Sequence, residues 1–131
     1  MTRPRCNLSL LIDHPSLDPD LVTDALGIEP QLTQRRGDAT PAGGSNTYSW
    51  SKWQYSVDCD ITDLEAAVSE LMKTLSDRGP ELSRLRRDGC NMVLFYRGSN
   101  FTHVQFQIDS NTVQDLSRLG VSFGFEFFAP D

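Results

Sequence analysis

The sequence predicts one α+β domain over residues 1–131, a mostly antiparallel sheet with helices packed chiefly on one face, resembling the ferredoxin-like plan. Three observations predict it. The chain has 131 residues, 38% hydrophobic and 23% charged, which is a globular composition at single-domain length. Short stretches alternate apolar and polar residues with the period of a half-buried strand, and between them lie capped segments of helical period. An internal echo also runs through the chain: a strand, "LID" and a helix ending in "ALGI" near the start, then a strand, "QID" and a helix ending in "RLGV" near the end.

The first strand is predicted at 6–12, where Cys6, Leu8, Leu10 and Ile12 share one face. Asp18 is placed to cap the helix that follows, Pro19 fits its first position, and Leu17 can staple onto Val22. Gly27 ends that helix in the left-handed conformation, and Pro30 prevents its continuation. Residues 31–47, rich in glycine and proline, read as the least constrained loop, with a short strand at 31–36.

The stretch 48–57, "YSWSKWQYSV", alternates with a flaw: Tyr48 and Trp50 fall on one face, Trp53, Tyr55 and Val57 on the other. Either both faces are covered or a bulge near Ser51 and Lys52 resets the register. A helix is predicted over 62–76, opened by a capping box of Thr62 and Glu65, with Trp53 and Tyr55 packed beneath it. Pro80 opens a short helix that Gly89 ends. Cys90 to Tyr96 and Val104 to Ile108 read as two strands joined by a hairpin at "RGSN", then a helix ending at Gly120, then a closing strand with Val121, Phe123, Phe125 and Phe127 on one face.

Charge and cysteine usage narrow the function. A net charge of -6 argues against nucleic-acid binding, because counterion release from phosphates needs a positive field. Two arginines and an apolar stretch interrupted by Asn7 and Ser9 do not make a secretory signal, and nothing approaches a membrane span. The three cysteines, Cys6, Cys59 and Cys90, form no C-x-x-C pair, so free thiols in a reducing cytoplasm are expected.

The candidate binding residues are Arg35, Arg36, Trp50 and Lys52. Paired guanidiniums beside a glycine suit an anion or a carboxylate, and an indole with neighbouring Lys suits a protein hot spot or a stacked ring. The plain alternative for Arg35 is a salt bridge to Asp38 or to a helix acid, and for Trp53 a place in the core. Arg84, Arg86 and Arg87 complement the C-terminal end of their helix dipole. Asp58, Cys59, Asp60 and Asp63 lack the spacing of a calcium loop, and neither a metal nor another cofactor is expected. His14 lies in a turn and His103 on the polar face of a strand, without a nucleophile elbow, an H-E-x-x-H motif or a phosphate loop to give either a catalytic context.

The order of "LDPDLVTDALGIEP", "RRGD", "SKWQYSV", "ELSRLRRDG" and "LGVSFGFEFF" resembles a bacterial family, domain of unknown function 4279, over nearly the whole chain. Its most specific piece is the Leu26-Gly27-Ile28-x-Pro30 turn followed by Arg36-Gly37 and Trp53. The family's aromatic-plus-acid ending stands here as Phe125-Glu126-Phe127. The resemblance implies a fold and transfers no chemistry. The expected role is non-enzymatic binding of a protein partner by an immunity-type module. A small-ligand or anion domain using Arg35, Arg36 and Trp50 is the second reading, and an enzyme with a site near His103 the third.

Overall fold

The computed structural model describes residues 6–99 and 105–128. Its strands are β1 (Cys6–His14), β2 (Leu32–Gln34), β3 (Ser51–Asp58), β4 (Asn91–Ser99) and β5 (Ser122–Phe128). Its helices are α1 (Pro19–Leu26), α2 (Leu64–Ser76), α3 (Gly79–Arg87) and α4 (Ser110–Leu119). One sheet has the order β2-β3-β1-β4-β5, antiparallel throughout except for the parallel pair β4–β5. The layering is α+β and is compatible with the ferredoxin-like plan.

Strand β1 sits at the centre of the sheet and turns Leu8, Leu10 and Ile12 toward the core. Leu8, Leu10 and Ile12 are buried and align with Val57, Tyr55 and Trp53 of β3 and with Tyr96, Leu94 and Met92 of β4. Val22 and Leu26 of α1, Leu64, Val68, Met72 and Leu75 of α2, Leu82 and Leu85 of α3, and Leu116 and Leu119 of α4 close over that face in one cluster. The opposite face carries Ser9, Gln54 and Ser56 in a hydrogen-bonded ladder, with Ser9 Oγ 2.7 Å from Ser56 Oγ. Alternation in β1 and β3 therefore sorts a dry face from a polar one.

The echo survives as capping chemistry. The Asp18 carboxylate accepts from the N–H of Asp20 at the start of α1, and Asp109 accepts from Asn111 at the start of α4. Gly27 and Gly120 end these helices at φ of 67° and 74°, where any other residue is strained. Each helix links parallel strands: α4 joins the adjacent β4 and β5, whereas α1 joins β1 to β2 with β3 between them.

Four local expectations change. Residues 105–109 form no strand, because both edges of β4 are already taken by β1 and β5; Phe106 and Ile108 pack on the core without a ladder, and Val104 lies outside the described residues. Thr62 and Glu65 form no capping box: a 3-10 turn at Ile61–Asp63 precedes α2, so Thr62 lies inside that turn and Asp63 takes the cap position. No bulge resets β3, whose pairing with β1 is continuous from Ser51 to Asp58; the broken alternation arises because Tyr48 and Trp50 precede the strand. Trp53 packs under α1 rather than α2, its indole N–H donating to Thr23 Oγ1 at 3.1 Å, while Tyr55 and Val57 face Ala67 and Leu71 of α2 across a small recess.

Candidate functional site

Residues 31–50 form an arm tied to the sheet edge rather than a free loop. β2 pairs with β3 through Leu32↔Gln54, Thr33↔Trp53 and Gln34↔Lys52. Beyond it, Gly37 N–H donates to Tyr48 O at 2.8 Å, Tyr48 N–H to Asp38 O at 2.9 Å, and Ala39 bridges to Thr47. The glycine and proline of the sequence are used in the turns of this arm, where Gly37, Gly43 and Gly44 all take positive φ.

The four sequence-derived residues occupy this arm and the strand beside it. Trp50 is 45% exposed, and its carbonyl accepts from Gln34 Nε2 at 2.9 Å, which fixes its backbone against β2. Arg36 is exposed, with its N–H on Ser51 Oγ at 3.0 Å and no ion pair among the described residues. Lys52 projects from the polar face of β3, opposite to Trp53. Leu32, on the edge strand, is 47% exposed.

Arg35 has a second task. Its guanidinium spans the start of α1, 2.8 Å from Asp18 Oδ1 and 2.7 Å from Asp20 Oδ2. Both acids sit at the positive end of the helix dipole, so one arginine, a cap and two carboxylates fasten the arm to α1. Arg35 thus pairs with helix acids and not with Asp38.

Asp18 also borders a cleft of about 760 Å³ between α1 and α3, which the sequence reading missed. His14, Arg78, Glu81, Arg84 and Asp88 line it, with Leu17, Leu21 and Leu85 as apolar wall. Ser16 N–H donates to His14 Nδ1 at 3.0 Å, so a neutral imidazole carries its proton on Nε2. Glu81 Oε2 is buried without a hydrogen-bond partner. The legible signal was the spacing Arg78, Glu81, Arg84, Asp88, which places one charged row on one helix face. Arg84 joins the cleft, whereas Arg86 crosses to α4, where a Cβ at Gly120 would stand 2.6 Å from its Cδ.

The remaining candidates separate. His103 lies outside the described residues. Among the described residues no cluster of His, Cys, Asp and Glu has the arrangement to hold a metal ion. All three cysteines are free thiols. Burial first, then nearby carboxylates, pushes the thiols of Cys59 and Cys90 up, which holds them protonated and poorly nucleophilic. Burial likewise raises the Tyr96 phenol far above its ordinary value, and its hydroxyl donates to Cys59 O at 3.0 Å. No helix of the described residues is long and apolar enough to cross a membrane.

Fold and edge together define a small α+β domain that presents an arm on the outer strand of a single sheet. The chain belongs to the family described as domain of unknown function (DUF4279), whose profile matches residues 4–128. No curated protein and no solved structure matches it.

Proposed function

We propose that this protein is a non-enzymatic, cytoplasmic binding module of the immunity type, which engages a protein partner through the arm and the β2 edge. The observation that carries the reading is the exposure of Trp50, whose carbonyl is held by Gln34, and of Leu32 on the edge strand. A large, rigid indole with few rotamers loses little conformational entropy on docking, which is what makes such residues hot spots. Arg36 and Lys52 flank it with positive charge in a protein of net charge -6, so the partner surface is acidic opposite them and apolar opposite Trp50. Asp18 and Asp20 already neutralise Arg35, so the paired-guanidinium anion site suggested by Arg35 and Arg36 is reduced to Arg36. Free, protonated thiols accord with a reducing compartment.

The test leaves Arg35 intact, since removing it would strand two carboxylates. Tagged native protein and an Arg36→Glu, Trp50→Ala double variant are compared by affinity capture from the source cells, with melting temperature as a folding control. The native protein is expected to retain a partner that the variant loses at unchanged melting temperature. Equal retention by both would overturn the reading.

A further inference from the structure

The arm leaves the α1–α3 cleft unused, and that cleft holds a chemical contradiction. Its wall contains unpaired groups of both signs in a space of about 760 Å³, within the size range of small-molecule sites. Arg78 stands three residues before Glu81 and Arg84 three after it, yet no ion pair joins them. The buried Glu81 Oε2 accepts nothing, and a buried carboxylate oxygen without a donor is costly.

We propose that this cleft binds a small zwitterion, an α-amino acid with an apolar side chain. The ammonium group pairs with the Glu81 carboxylate, which lines the cleft without an ion pair. The carboxylate lies against the guanidiniums of Arg78 and Arg84 and the Nε2–H of His14. The side chain rests on Leu17, Leu21 and Leu85, of which Leu21 is 61% exposed.

Other ligand classes fit less well. A simple anion would satisfy the arginines and leave Asp18, Asp24, Glu81 and Asp88 facing it. A metal cation would meet two guanidiniums, and no described cluster has the ligands for one. A ligand carrying both charges pairs Glu81 and the two arginines at once. The position of Arg78 accords with this: a Cβ at Gly27 would stand 3.2 Å from its Nη2, so that glycine at the end of α1 lets the guanidinium approach the helix terminus.

The test is an amide-resolved NMR titration of the intact chain with free L-leucine, L-methionine and L-phenylalanine. At least one is expected to give saturable shifts confined to residues 14–25 and 78–90. Its N-acetyl derivative, lacking the ammonium, and its carboxamide, lacking the carboxylate, should each bind about tenfold more weakly, as for the loss of one charge-assisted contact. Glu81→Gln should weaken the amino acid and the carboxamide but not the N-acetyl form; Arg84→Gln should weaken the amino acid and the N-acetyl form but not the carboxamide. Absence of saturable shifts with all three amino acids overturns the proposal. So do shifts outside the cleft, or variants that ignore which charge the ligand carries. None of these outcomes bears on the arm.

Discussion

Trp53 and Trp50 lie three residues apart on the same stretch of chain and belong to different physical worlds. Trp53 is 0% exposed, with its one polar atom hydrogen-bonded to Thr23 beneath α1. Trp50 is 45% exposed just outside the strand, held only through its carbonyl. The difference is where the ladder starts: Ser51 opens β3, and alternation governs only residues within it. Trp53, on the helix-covered face of β3, becomes core. Trp50, one step before the strand, becomes surface, available to a partner.

The largest expected effect tests the buried half of that comparison. Trp53→Ala removes the largest fully buried side chain and its hydrogen bond to Thr23, so denaturant unfolding should show a loss of ~3–5 kcal/mol. An unchanged midpoint would break the assignment of Trp53 to the core.

Next comes the fastening between arm and helix. Asp18→Ala removes a cap and one side of the Arg35 pair, for an expected cost of about 1–2 kcal/mol, mostly from the cap because exposed pairs contribute little. Hydrogen exchange should quicken at Gly37 and Tyr48 while the β1–β3 ladder stays protected. Uniform acceleration would mean that arm and core unfold together.

Tyr96→Phe probes the core from its polar side. Loss of the bond to Cys59 O should cost about 1 kcal/mol near neutral pH. The sign of its pH dependence follows from linkage. A phenol whose folded pKa is raised holds its proton longer when folded. Its contribution is complete below the unfolded value of 10.0 and is lost as pH climbs above it. Native stability should therefore fall above about pH 10, and fall less steeply in Tyr96→Phe. Raised thiols at Cys59 and Cys90 start the decline from their ordinary value of 9.0. Identical slopes in the two proteins would contradict the burial of this phenol.

The smallest effect belongs to Trp50→Ala, expected within about 0.5 kcal/mol of native stability, as for surface positions. A loss comparable to that of Trp53→Ala would erase the contrast between the two indoles.

The sequence disclosed the fold wherever one residue's chemistry settles a local choice. Asp18, Pro19 and Gly27 bound α1 because only certain residues cap, open and close a helix, and alternation marked β1 because one side of it is dry. It disclosed less where partners are distant. That β4 has both edges filled, so that residues 105–109 cannot pair with it, depends on β1 and β5 arriving from opposite ends of the chain. The arm's residues were legible as arginine and indole, but Arg35's engagement with Asp18 and Asp20 was visible only in general terms as a helix-acid pair. The cleft was hidden for the same reason: His14 and Glu81 are far apart in sequence, and α1 and α3 must meet before either has a neighbour.

The proposed partner binding belongs to the exposed indole of Trp50 and not to α4. A photo-crosslinking amino acid placed at Trp50 and, separately, at Val113, which is 50% exposed on α4, tests it directly. Irradiation in the source cells should give a discrete crosslinked partner from position 50 and none from position 113. An adduct from position 113 alone, equal adducts from both, or none from position 50 would contradict it.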